Sequence, residues 1–167
     1  FKLILVGNSS PIYKVIHHLG DLENLKVSAL FTDEKKNTSI VKFAIEQGID
    51  VFKISELKVQ SERKKISDLN PCWLFNINST FLFPEDILQI PARGCLNMHP
   101  GKLPEYAGMH VNQWAIRNNE KVFGSTLHWM VPKIDAGPIC FKEEFPIDPF
   151  DTGLSLFMKA MNVGTKL

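Results

Sequence analysis

Short apolar runs alternate with helical spacings along the first hundred residues. Lys2–Gly7 reads KLILVG, an apolar run closed by glycine, and predicts a buried strand. Ser10 and Pro11 put a capping hydroxyl before proline at the first helical position, opening a helix to about Leu19 with Gly20 as its stop. Val27–Phe31 predicts a second strand. Ile40, Val41, Phe43 and Ala44 recur at helical spacing within residues 39–47, and Gly48 ends that helix. Val51–Ile54 predicts a short strand, Ser61–Leu69 a charged surface helix stopped before Pro71, and Trp73–Ile77 another strand. Pro84–Ile90 predicts one or two helical turns and Cys95–Met98 a short strand. This alternation predicts an α/β fold, a Rossmann-like open sheet that is mostly parallel.

The tempo changes after residue 98. A Gly- and Pro-rich loop, Pro100–Gly108, leads to a helix near Val111–Asn118. Gly124–Met130 and Ile139–Pro146 are β-rich and closely connected, which predicts an antiparallel C-terminal part of the sheet. Asp151 and Thr152 are set to cap a last helix, anchored by Leu154, Leu156, Phe157 and Met161. No repeat, low-complexity tract or linker interrupts residues 1–167, so one domain is expected. The chain stops almost as soon as that helix ends. Truncation at the C-terminus is therefore expected, with further C-terminal domains or a homodimer as the context.

Composition narrows the class. Apolar residues make up 44% of the 167 and charged residues 22%, which excludes a disordered or coiled-coil chain. The net charge of +1 argues against a nucleic-acid partner, which would be met by a far more basic surface. No apolar run approaches the ~18–20 residues of a membrane-spanning helix, and a cytoplasmic protein is expected. Cys72, Cys95 and Cys140 are odd in number, widely spaced and without CxxC, as free thiols in a reducing compartment are.

Three places carry candidate chemistry. The first βα turn, Gly7-Asn8-Ser9-Ser10, lies where a helix start offers N–H groups to an anion, yet it lacks both GxGxxG and GxxxxGK[ST]. A plain capped turn accounts for it as well. Asn97 and His99 stand two apart on a predicted strand and share a face at its carboxyl end. Asp135, in Lys133-Ile134-Asp135-Ala136-Gly137-Pro138, is an ordinary turn residue unless the fold brings it to His99. A carboxylate there would raise the imidazole pKa and hold it as imidazolium, and the three together suit an oxyanion on a carbonyl carbon. No Ser or Cys is placed beside them as a nucleophile. His17, His18, His110 and His128 show no metal-ligand spacing and read as structural or surface residues, so no metal is expected. Asn8, Ser9 and Ser10, with Tyr106 and His110 at the loop, are the candidates for holding a substrate.

The linked order Asn97-x-His99, Leu103–Gly108 (LPEYAG), Trp114-Ala115-Ile116, Gly124-x-Thr126 and Ile134-Asp135-x-Gly137 resembles the formyltransferase family that uses 10-formyltetrahydrofolate. The resemblance covers nearly the whole chain and implies a catalytic domain. It implies attack of an acceptor amine on the formyl carbon, with Asn97 and protonated His99 on the oxyanion and Asp135 orienting His99. It implies a folate pocket with Phe81, Leu82 and Phe83 on one side and Ile134 to Gly137 on the other, although a Phe-Leu-Phe run equally suits a core. The first turn departs from the phosphate loop of glycinamide ribonucleotide transformylases. Lys35-Lys36 is the one match to the basic loop of methionyl-tRNA formyltransferases. The HPGKLPEYAG loop looks most like enzymes acting on nucleotide-linked amino sugars or carrier-bound aminoacyl groups. A formyltetrahydrofolate hydrolase, a methionyl-tRNA or glycinamide ribonucleotide formyltransferase and an inactive folate-binding module are the alternatives.

Overall fold

The first two apolar runs, residues 2–7 and 26–31, become strands that are enclosed along most of their length. The structure, a computed structural model, describes residues 1–167 apart from 9, 21 and 37. Its contacts gather the chain into two compact units, residues 1–96 and 97–167. In the first, β1 (Lys2–Gly7) pairs in parallel with β2 (Lys26–Phe31) on one side and β4 (Trp73–Ile77) on the other, and β3 (Asp50–Phe52) pairs in parallel with β2. Leu5 is opposite Leu30 and Phe75, and Leu3 to Val6 are wholly shielded from solvent. Continuous apolar sequence is what a parallel strand covered on both faces requires. Cutting one such Leu or Ile to Ala costs about 2–5 kcal/mol.

Helix α1 (Ser10–Gly20) buries Ile12, Val15 and Ile16, and Tyr13 meets Phe43 of α2 (Ser39–Glu46) with ring centroids 4.5 Å apart. Ser10 is the first residue inside α1, so it is not the expected cap, and the preceding position, Ser9, lies outside the described residues. The charged helix expected from residue 61 starts later. Two 3₁₀ turns, Ile54–Lys58 and Gln60–Arg63, come before α3 (Lys64–Asp68). The Arg63 side chain donates to the Leu57 carbonyl at 2.9 Å, and Lys65 bridges Glu56 and Glu62. Those side chains tie the tighter turns together and hold the Glu56 carboxyl below its usual range, chiefly through Lys65. A short α4 (Glu85–Leu88) follows β4.

Strand β5 (Gly94–His99) carries the chain across the division between the units. The second unit holds α5 (Val111–Arg117), β6 (Val122–Trp129), β7 (Ile139–Pro146) and α6 (Gly153–Gly164). β6 and β7 are antiparallel, with Phe123 opposite Phe145 and Thr126 opposite Lys142. This is the α/β, Rossmann-like class expected from the sequence, mostly parallel with an antiparallel C-terminal part.

Thr152 caps α6 through a reciprocal pair: Ser155 N–H donates to Thr152 Oγ1 at 3.1 Å, and Thr152 N–H to Ser155 Oγ at 2.9 Å. The buried side of the helix meets Val111, Ala115 and Phe123 through Leu156 and Ala160. Leu154, expected as an anchor, is 71% exposed because it falls in the first turn, away from that stripe.

Candidate functional site

Asn97, His99 and Asp135 meet within the second unit. Asn97 and His99 occupy the end of β5, and His99 is 5% exposed. Two hydroxyls on β6 secure this strand end and the loop beyond it. Ser125 Oγ donates to the His99 carbonyl at 3.2 Å, and Thr126 Oγ1 donates to the Gly101 carbonyl at 2.8 Å. Gly101 answers a close approach: a Cβ there would lie 2.5 Å from His99 Nε2 and 2.9 Å from the Tyr106 carbonyl oxygen. The loop's glycine and proline content thus lets its backbone wrap the imidazole, and His99 Nε2 stands 2.7 Å from that carbonyl.

Asp135 arrives from the turn between β6 and β7, where its φ is +50°. This left-handed conformation is one Asp tolerates better than most residues, and the surrounding bonds hold it. Asp135 Oδ2 accepts the Gly108 N–H at 2.8 Å and lies 3.5 Å from His99 Nδ1. The stretch 106–108 therefore supplies a carbonyl to one partner and an N–H to the other. Gly137 is needed for packing: a Cβ would lie 1.8 Å from the Trp129 carbonyl oxygen, so the turn folds back onto β6. Ile134, beside them, is 58% exposed.

The sequence reading missed a fourth member. His128, set aside as structural, is 2% exposed, with Nε2 3.0 Å from Asn97 Nδ2 and 3.5 Å from Asp135 Oδ1. Its Nδ1 sits 2.8 Å from the Trp129 carbonyl. Its ring thus spans the Trp129 carbonyl on one side and the Asn97 amide and Asp135 carboxylate on the other. The second Asn97 N–H then points to Asp135 Oδ1 at 3.4 Å. A register shift between Leu127 and His128 breaks the alternation of β6 at this residue. Bulges re-aim side chains in this way, and from sequence the only trace is a histidine in an apolar strand.

The electrostatics correct one expectation. Burial pushes the His99 pKa below the ordinary imidazole value, against the upward pull of Asp135 and the Tyr106 carbonyl. The upward pull of Asp135 expected from the sequence is present, but burial outweighs it and disfavours the imidazolium. Burial also opposes ionisation of Asp135, but His128, His99 and the Gly108 N–H outweigh it and keep the carboxyl below its usual range. A neutral ring that donates from Nε2 to Tyr106 turns its bare Nδ1 toward a carboxylate. Protonation of Nδ1 would turn that contact into an ion pair, which is the upward pull that burial outweighs.

The remaining candidates make other contacts. Tyr106 reaches His99 through its carbonyl, while its hydroxyl donates to Glu120 at 2.8 Å. His110, at φ +59°, precedes α5 and accepts the Gln113 and Trp114 N–H groups on its carbonyl. In the first unit, Asn8 Oδ1 accepts from the Thr32 hydroxyl at 3.0 Å and the Asp33 N–H at 2.9 Å, so this amide ties the end of β1 to the end of β2. Phe81 and Phe83 are half-buried and edge-on at 4.9 Å, and Leu82 between them is 68% exposed. The three cysteines are free, and burial pushes the Cys95 thiol up to about 12. Among the described residues no His, Cys, Asp and Glu group could hold a metal ion, and no helix is long and apolar enough to cross a membrane.

Residues 3–167 match the family model described as formyl transferase. Methionyl-tRNA formyltransferase of Thermodesulfovibrio yellowstonii is 34% identical over 128 residues, 77% of this chain and 42% of that protein. That of Ehrlichia canis is 27% identical across 99% of this chain and 58% of its own length. The chain thus spans about half the length of these relatives. Among solved structures, glycinamide ribonucleotide transformylase 1 from Symbiobacterium toebii superposes with a TM-score of 0.85 at 18% identity, covering 99% of this chain and 82% of that one. A sugar N-formyltransferase from a Shewanella species gives 0.76 at 21% identity over 100% and 66%. At such identities the likeness is one of fold.

Proposed function

Because the chain belongs to the formyl transferase family, we propose that it transfers a formyl group from 10-formyltetrahydrofolate to a free amine. The observation that supports this most is the buried meeting of Asn97, His99, His128 and Asp135, a set suited to an oxyanion and a proton but holding no covalent nucleophile. The donor supplies an activated formyl carbon. The amine nitrogen bonds to that carbon, the carbonyl oxygen becomes an oxyanion, and the bond to N10 of the folate then breaks.

Asn97 donates to the developing oxyanion. Its longer bond, to Asp135 at 3.4 Å, is the one a formyl oxygen replaces, while His128 at 3.0 Å keeps the amide oriented. Neutral His99 accepts the proton that the amine sheds, and Asp135 stabilises the imidazolium as it forms. That proton returns to N10 of the leaving folate. Positioned donors and a prepaid orientation are the main sources of acceleration in such a reaction. The exposed turn from Ile134 to Gly137 borders the donor.

The acceptor is a small or carrier-linked amine, either a nucleotide-linked amino sugar or a carrier-bound aminoacyl group. Its discriminating experiment incubates the protein with 10-formyltetrahydrofolate and a panel of amines, following the formyl group by mass spectrometry. The panel holds both of these classes, glycinamide ribonucleotide and charged initiator tRNA. Formyl on one of the first two supports the reading. Formyl on tRNA or the ribonucleotide overturns the acceptor assignment, and acceptor-free formate release makes the protein a hydrolase. Donor bound and unchanged throughout leaves a folate-binding module.

A further inference from the structure

Tyr106, whose carbonyl faces His99, is held by its hydroxyl from the far end of the next helix. Among the described residues 104–110, Pro104, Glu105, Ala107, Met109 and His110 are exposed, and the Tyr106 side chain is the one that turns inward. Its ring lies edge-on to Phe123 with centroids 6.0 Å apart, against the same core cluster that α6 covers. Leu103 N–H, donating to Thr126 Oγ1 at 3.3 Å, secures the start of this loop but lies three residues short of the Tyr106 carbonyl. Glycines at 101 and 108 flank the stretch and give it freedom at both ends, so a side-chain anchor is needed to fix it.

The end of α5 receives that hydroxyl. Asn119 N–H donates to the Ile116 carbonyl and Glu120 N–H to the Ala115 carbonyl, both at 3.0 Å, with Asn119 at φ +55°. This is the left-handed closure common at helix C-termini, and it fixes the backbone of Asn118 and Glu120 on either side. The Tyr106 hydroxyl donates to Glu120 Oε1 at 2.8 Å and accepts from Asn118 Nδ2 at 3.1 Å. Burial raises the phenol above its ordinary pKa, and the Glu120 carboxylate adds to this against the Asn118 amide, so the hydroxyl stays a donor. A hydrogen bond to an ionised acceptor is among the stronger kinds. On the backbone side, Tyr106 N–H donates to the Lys102 carbonyl at 2.8 Å and the Tyr106 carbonyl stands 2.7 Å from His99 Nε2. Two residues on, Gly108 N–H donates to Asp135 Oδ2 at 2.8 Å.

We infer that Tyr106 and Glu120 are positioning residues: the bond between their side chains sets where the 106–108 backbone holds the His99 ring and the Asp135 carboxylate. What the positioned pair then does rests on the formyl-transfer reading, whereas the positioning itself does not.

The test compares Tyr106→Phe, which keeps the packed ring and loses only the hydroxyl, with Glu120→Ala and Glu120→Gln in the full chain. Each is labelled with ¹⁵N-histidine, the His99 signals are assigned by their absence from His99→Gln, and far-UV dichroism checks the fold. Tyr106→Phe and Glu120→Ala should both move the His99 Nε2 resonance while those of His17 and His18, in the first unit, stay in place. Glu120→Gln keeps an oxygen that accepts from the phenol and should restore the natural position. With 10-formyltetrahydrofolate and the amine that accepts the formyl group, the first two variants should lower kcat on the order of 10- to 100-fold, the scale of a small misplacement, with KM unchanged. Glu120→Gln should recover most of that rate. An unmoved His99 resonance in Tyr106→Phe overturns the inference even if activity falls, and so does a natural kcat in that variant. Absence of transfer in the natural protein overturns the formyl-transfer reading instead, and the His99 resonances then decide the inference alone.

Discussion

At His99 two forces oppose each other: burial favours the neutral ring, and Asp135, 3.5 Å from Nδ1, favours the charged one. Burial is the larger of the two, so on the proposed mechanism the carboxylate acts only once a proton arrives. His99→Gln and Asp135→Asn should therefore each lower the transfer rate on the order of 100–1,000-fold, with little change in donor affinity. Single-turnover rates beside donor dissociation constants check this, and a folded His99→Gln protein of full activity would refute the site. On the proposed mechanism His128, 3.0 Å from the Asn97 amide, acts one step back by orienting it. Its removal in His128→Ala should cut kcat more than it changes KM and by less than His99→Gln does. A gain in KM alone would make His128 merely a wall. Asn97, His99 and Asp135 were legible as residues because their types and order match a reaction. His128 was not, because its importance comes from a bulge and from two neighbours distant in sequence.

Among elements, the parallel strands were the most legible, since a strand buried on both faces writes itself as an unbroken apolar run. The region before α3 was less so: its 3₁₀ turns depend on Arg63 reaching Leu57 and on Lys65 reaching two glutamates, contacts that a helical pattern does not encode. The loop after β5 was legible as a loop but not as a cradle. Gly101→Ala tests the cradle without deleting a functional group. Its methyl would fall 2.5 Å from His99 Nε2, so ring and loop must part. Activity should drop at least tenfold while the far-UV spectrum stays native. Full activity would mean that the Tyr106 carbonyl does not position the ring. At the other end of the unit, Thr152→Ala should destabilise the second unit by about 1 kcal/mol through loss of the cap, read as a lower denaturant midpoint.

For the whole molecule, the buried pair sets the response to acid. The His99 pKa is lower in the folded chain than the ordinary value near 6.5, so the unfolded chain binds that proton more readily. Stability is then full above that value and falls as the pH drops through it. Asp135, also lowered, adds a second loss further into acid. Melting temperature against pH should decline below neutrality in the natural protein, and the upper part of that decline should flatten in His99→Gln. An unchanged slope would mean that burial does not lower the imidazole. Sequence by itself determined the α/β class, because periodicity is a local property, and offered Asn97, His99 and Asp135 as candidates through motifs whose order resembles the family. Tertiary structure alone decided the balance between burial and carboxylate at His99 and the entry of His128. Desolvation and a bulge's aim depend on what surrounds a residue in space, and nothing in its sequence neighbours records that.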